Sequence, residues 1–155
     1  VIVIDTSALV GAQHAHYLPT SFSGFWAFLD EGLTSGRLLI PRAVFDELAD
    51  QSDGAYAWVK EREAQVVDPI EEVQATVGEL VTKYRFRDGG DEADPFVIAE
   101  AMHRGFAVAT YEGRTPTGNV AKSKAHLDNI PFICKAVGVG CLQPAAAWEV
   151  AGLSL

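Results

Sequence analysis

An α/β domain, with a mostly parallel central sheet covered on both faces by helices, is the fold class this sequence predicts, and three observations carry it. Residues 1–4 (VIVI) and 106–110 (FAVAT) are short continuous apolar runs, the pattern of strands buried on both faces. Other segments space their apolar residues by three and four, which is the helical period. The two kinds of segment alternate with no repeat, low-complexity run or linker between them, so a single domain over residues 1–155 is expected. In open parallel sheets of this kind, ligands bind beyond the carboxyl ends of the strands.

The first strand, 1–4, runs into Asp5-Thr6-Ser7, residue types that cap helices or make Asx turns, and the stretch to Pro19 reads as irregular. Phe22, Phe25, Trp26, Leu29 and Leu33 predict an amphipathic helix over 22–33, closing before Gly36. Residues 38–40 form the second strand, and Pro41 opens a helix through Ala43, Val44, Glu47 and Leu48. Trp58 and Val59 anchor a helix over 55–63, and 65–67 is extended. Val73, Val77, Leu80 and Val81 predict a helix over 70–83, followed by a basic, glycine-ended loop over 84–90. Residues 94–103 carry the clearest helix signal, with Pro95 in the first turn and Gly105 just past the end. After the 106–110 strand comes a polar loop over 111–129. Residues 131–134 then read as a strand or strand-like edge, continued after a turn by 137–142, and 145–153 as a closing helix.

The 155 residues carry 12 Lys+Arg against 21 Asp+Glu, a net charge of −9, with 48% hydrophobic and 21% charged residues. This composition excludes a disordered chain, and at this length a core forms without disulfides or structural metal. The apolar stretches fall far short of the ~18–20 residues that span a bilayer. No basic segment precedes the first strand, so neither a membrane span nor a signal peptide is expected, and the cytoplasm is the expected compartment. Cys134 and Cys141 are too far apart for a C-x-x-C redox or zinc pair and read as free thiols. The acidic balance argues at first sight against a nucleic-acid partner, because phosphates are neutralised by Lys and Arg.

The residues that follow the predicted strands change that reading. Asp5 follows the first strand, Glu47 lies about two turns into the helix after the second, Asp94 starts the helix leading into 106–110, and Glu112 lies just past Thr110. Each acid alone has a plainer explanation: a cap or turn for Asp5 and Asp94, an exposed surface for Glu47 and Glu112. Those explanations predict no common location. Four acids at one sheet edge repel one another, by about 4 kcal/mol per pair at 4 Å and an effective dielectric near 20, so a countercharge is needed. A hard divalent cation, Mg²⁺ or Mn²⁺, suits an all-oxygen ligand set better than zinc does. Asp91, three residues before Asp94, is a further candidate ligand or an N-cap after Gly89-Gly90.

With these residues the sequence resembles a PIN domain, and more narrowly the VapC-type toxins of toxin–antitoxin modules. VIVIDTSALV matches the family's strand and motif Asp at Asp5, with Thr6 and Ser7 as its polar neighbours; PRAVFDELAD matches its helical acid at Glu47. DEADPFVIAEAMHRGFAVAT matches the third motif at Asp94, with Ile98, Ala99 and Ala101 on the small apolar face. TYEG stands where the family usually has Thr-x-Asp or Thr-x-Asn, so Glu112 is a departure, a longer acid than usual. The segment IPFICKAVGVGCLQPAAAWEV is similar to a VapC-like subgroup with an I-P-x-x-C stretch.

The resemblance implies a three-layer α/β/α fold and a Mg²⁺- or Mn²⁺-dependent endoribonuclease. Asp5, Glu47 and Asp94 are its implied ligand core, Glu112 completes the shell or orients water, and Thr6, Ser7 and Thr110 support them. It also implies an RNA substrate, a cognate antitoxin and frequent homodimers. Four carboxylates serving metal account for nearly half of the net charge. Arg85 and Arg87 in one loop, and Arg114, Lys122 and Lys124 in another, are candidate RNA contacts. Two alternatives remain open: a PIN scaffold that binds without cutting, and a HAD-like phosphatase. The latter normally needs a second Asp two residues after the first, where this chain has Ser7.

Overall fold

The computed structural model describes residues 1–113 and 128–153. Strands β1 (Ile2–Ile4), β2 (Leu38–Pro41), β3 (Val66–Val67), β4 (Ala107–Ala109) and β5 (Cys141–Leu142) form one sheet in the order β3-β2-β1-β4-β5. Every pairing is parallel, with Ile2 opposite both Leu38 and Ala107, and Ile4 opposite Ala109. The chain winds outward from β1 through β2 to β3, then the other way through β4 to β5. Strand order therefore reverses between β1 and β4, which opens a crevice beyond their carboxyl ends.

The helices among the described residues are α1 (Thr6–Gly11), α2 (Ser23–Thr34), α3 (Arg42–Gln51), α4 (Asp53–Lys60), α5 (Glu71–Lys83), α6 (Asp94–Arg104), α7 (Ile130–Val137) and α8 (Pro144–Val150). They make the three-layer α/β/α arrangement. Helix α6 packs on β1, β2 and β4 and lies against α3, α5 and α7. On the other face α2 packs on β2 and α8 on β4, and the two meet where Phe25 and Trp148 make an edge contact at 5.7 Å. Ile2, Val3 and Ile4 are fully buried, as are Val97, Ile98 and Ala99 of α6 and Val108 of β4. Each large side chain in that set is worth about 1.5–3 kcal/mol of burial. Small residues at Ala99 and Ala101 let α6 lie close to the sheet, and Gly105, at φ +68°, ends it in the left-handed conformation that favours glycine.

Two segments differ from expectation. Residues 6–16 are helical: Asp5 caps α1 by accepting the Ser7 N–H at 3.3 Å, and a π-helical turn, Ala12–His16, carries the chain on to Tyr17. Ala8, Leu9 and Ala12 share one face and are buried, which favours helix over irregular chain. Residues 131–134 lie within α7 and not in a strand. Asn129 Oδ1 accepts the Phe132 N–H at 2.9 Å, Pro131 occupies the first turn, and Gly138 at φ +76° stops the helix. Ile130, Ile133 and Cys134 then fall on one buried face. Of the expected strand over 137–142, Cys141–Leu142 pairs in the sheet. Among the described residues no helix is long and apolar enough to cross a membrane.

Candidate functional site

Asp5 leaves β1 directly into the crevice, its N–H donating to the Ala109 carbonyl at 3.0 Å. Its buried Oδ2 receives the Ser7 hydroxyl at 2.5 Å, the Thr110 hydroxyl at 2.8 Å and the Ser7 N–H at 3.3 Å. Those hydroxyls are held in turn: Ser7 Oγ accepts the Tyr111 N–H at 2.9 Å, and Thr110 Oγ1 accepts the Glu112 N–H at 3.0 Å. With the amides supplying protons to the hydroxyl oxygens, the hydroxyl protons are available to the carboxylate. Burial pushes the Asp5 carboxyl above its ordinary range, and these bonds work against that shift. Thr6, the third expected supporting residue, behaves differently. Its hydroxyl is buried and makes no hydrogen bond of ordinary geometry, although it lies close enough to Glu47 to favour the ionised form of that acid.

The other acids come from three further segments, and each also fastens backbone. Glu47 Oε2 accepts the Ala93 N–H at 3.2 Å at the mouth of α6, while Oε1 takes Gln51 Nε2 at 2.6 Å. Ala93 occupies the N-cap position of α6, so Asp94, its first residue, is not spent on capping. Asp91 lies in the loop before the helix, neither on a helical face nor at the N-cap. Its Oδ2 accepts the Arg87 N–H at 2.8 Å, and Oδ1 lies 3.2 Å from Arg87 Nη2. Gly90 makes this possible, because a Cβ there would collide with the Arg87 guanidinium. Glu112 Oε2 accepts the Ile130 N–H at 3.0 Å, joining the β4 exit to α7.

Asp91, Asp94 and Glu112 each offer a carboxylate oxygen, and these three oxygens lie within 4.8 Å of one another. Asp5 and Glu47 stand outside that triad but within its electrostatic reach. Burial pushes the Asp94 carboxyl up to about 10, and the charges of Glu112, Asp5, Asp91 and Glu47 all push the same way. Glu47 is half-buried and raised chiefly by burial, with Asp5 adding to the shift. At neutral pH, then, Asp94 holds a proton unless a cation replaces it. The donor set is all oxygen and drawn from the loop before α6, the start of α6 and the β4 exit, which fits Mg²⁺ or Mn²⁺.

Two clefts flank the acids. One, of about 620 Å³, is lined by Glu47, Asp46, Asp50, Glu92, Arg42 and Phe96 among others; the second, of about 410 Å³, by Glu112, Pro131, Lys135, Cys141 and Gln143. Of the basic residues singled out in the sequence, Arg85 is exposed and its backbone pairs with Asp128, whose Oδ2 accepts the Arg85 N–H at 3.1 Å. Arg87 is turned toward Asp91. Arg114, Lys122 and Lys124 lie outside the described residues. Lys135 was not a sequence candidate: taking 131–134 as strand hid its place in the last turn of α7, although Asn129, Pro131 and Gly138 mark that helix.

An all-parallel α/β domain with a buried carboxylate cluster at its switch-point edge is the class that this fold and site define. The chain belongs to the family described as "Domain of unknown function (DUF4411)", whose model matches residues 2–153. No curated protein matches it.

Proposed function

We propose that this protein is a PIN-type endoribonuclease dependent on Mg²⁺ or Mn²⁺ that hydrolyses RNA phosphodiesters at the acidic cluster. The supporting observation is the meeting of four acids, Asp5, Glu47, Asp91 and Glu112, around Asp94, whose carboxyl is pushed up to about 10 by burial and like charge. An unneutralised cluster of this kind is costly to hold, and a divalent cation offsets the cost. Asp91, Asp94 and Glu112 hold the cation, with Asp5 and Glu47 adding negative charge beside it. When bound, such a cation supplies Lewis acidity and charge neutralisation to phosphodiester hydrolysis.

The chain's own groups supply the rest. Ser7 and Thr110 keep Asp5 oriented; Glu47, raised and half-exposed beside a cleft, accepts a proton from water. Lys135, in the wall of the 410 Å³ cleft, and the exposed Arg85 are the groups this reading assigns to substrate phosphates. The PIN resemblance extends the reading to the toxin of a type II module in the cytoplasm, restrained by a cognate antitoxin and able to form homodimers. A scaffold that binds without cutting is the second reading, and it is favoured by Asp5 lying outside the triad.

The test is Mn²⁺ calorimetry with a parallel cleavage assay on single-stranded RNA, for the natural sequence and Asp94→Asn. The natural sequence is expected to bind Mn²⁺ and to cut RNA only when the ion is present, and the variant to lose the heat and at least about 100-fold of the cleavage. Absence of Mn²⁺ heat in the natural sequence overturns the metal reading. Heat without cleavage leaves the binding scaffold in its place.

A further inference from the structure

The loop between α5 and α6 closes on itself just before it delivers Asp91 to the acids. The Asp91 carboxylate takes the Arg87 N–H on Oδ2 at 2.8 Å, and its Oδ1 lies 3.2 Å from Arg87 Nη2. In return the Asp91 N–H donates to the Arg87 carbonyl at 3.3 Å, and Arg87 Nη2 reaches the Gly90 carbonyl at 3.4 Å. Residues 87–91 are thus a ring, with a half-exposed guanidinium folded across Gly90 and a carboxylate turned inward and buried. The two glycines in it serve different ends. Gly89, at φ +71°, supplies a left-handed turn, whereas Gly90 lies outside that region and is glycine for space, since a Cβ there would collide with Arg87 Nη2 and Nε. The backbone at position 90 would accept alanine; the folded-back guanidinium does not.

We propose that Arg87 is a positioning residue for the cation site, its guanidinium seated on Gly90 and holding Asp91 in the triad with Asp94 and Glu112. The proposal rests on the metal reading above. A carboxylate has about four lone-pair sites, and Arg87 engages each oxygen once, which leaves one site on each for a cation. Charge and geometry then act in opposite senses. A guanidinium beside the site repels a divalent cation, so on charge alone its removal should tighten cation binding. Without the guanidinium, however, the Asp91 side chain loses a tether and has to be ordered by the cation itself, which costs rotamer and loop freedom. Partners that orient metal ligands typically contribute about 10–100-fold in affinity, enough for geometry to prevail.

The test is a double-mutant cycle on the full chain, with Arg87→Ala, Gly90→Ala and the two together, read by Mn²⁺ calorimetry. Each single variant should weaken Mn²⁺ binding about tenfold, and the double variant no further than either, because Gly90→Ala acts only by displacing the guanidinium. Arg87→Lys keeps the charge and loses the planar fork, so its binding should stay weakened. Unchanged or tighter binding in Arg87→Ala, additive losses in the double variant, or full affinity in Arg87→Lys would each overturn the proposal. A second readout needs no metal. The residue 87 amide, bonded to Asp91, should exchange at least about threefold faster in Gly90→Ala, and an unchanged rate overturns the tether. Mn²⁺ binding that is indifferent to Arg87 and Gly90 defeats this proposal and leaves the metal reading standing, whereas natural protein that binds no Mn²⁺ defeats both.

Discussion

Helix α6 buries an acid near each end. Toward its C-terminus, Glu100 is 1% exposed and its Oε2 accepts from Arg104 Nε at 2.9 Å, one turn on and in the last turn, where a cation also suits the helix dipole. At its first turn, Asp94 is 6% exposed and faces Asp5, Glu47, Asp91 and Glu112. The first arrangement is closed: charge, partner and helix are all local. The second is incomplete without a proton or a cation. A buried acid paired by its neighbour is ordinary structure, whereas a buried acid surrounded by its own kind lacks a countercharge, which is what the proposed cation would supply.

That contrast is tested most strongly by neutralising both acids. In metal-free protein near pH 8, Asp94→Asn should stabilise the fold by several kcal/mol, since the folded Asp94 carboxyl must hold a proton that the unfolded chain has released at that pH, and the amide needs none. Glu100→Gln should destabilise it by about 1 kcal/mol, the figure for a charge-assisted bond whose partner, Arg104, is a third exposed. Urea unfolding measures both, and two changes of the same sign would erase the distinction. The pH dependence comes next. Because the folded Asp94 carboxyl is raised above its unfolded value, the folded state keeps a proton that the unfolded state has released. Stability of the metal-free protein should therefore fall as pH rises from about 4 toward about 10, by up to about 1.4 kcal/mol per unit. Mn²⁺ or Asp94→Asn should flatten the slope, while Glu100→Gln should leave it in place.

Smaller effects probe the periphery of the site. Thr110→Val removes a donor from Asp5 and the acceptor of the Glu112 N–H, and should weaken Mn²⁺ binding about tenfold in calorimetry. The smallest expected change is that of Arg85→Ala. It should leave Mn²⁺ binding unchanged and lower the salt slope of RNA binding by about one.

Much of this molecule is legible in its sequence, for local reasons. Residues 1–4 and 106–110 read as buried strands because apolar runs that short can satisfy their backbone only in a sheet interior, and α6 is bracketed by Pro95 and Gly105. Residues 131–134 look like a strand edge because Phe132 and Ile133 suit a strand, but the Asn129, Pro131 and Gly138 signals start and stop a helix there. The segment after Asp5 was missed because α1 is a single short amphipathic piece, stabilised by packing more than by propensity.

The sequence by itself determined that acids stand after β1, on α3, at the start of α6 and after β4, because parallel strands joined by helices deliver their carboxyl ends to one edge. Tertiary structure decided which of them meet. Asp91 joins Asp94 and Glu112 because the loop before α6 folds back over Gly90, while Asp5 is drawn aside by the Ser7 and Thr110 hydroxyls. Hydrogen bonds between segments and the direction of a single turn set those distances, and neither is encoded in spacing along the chain.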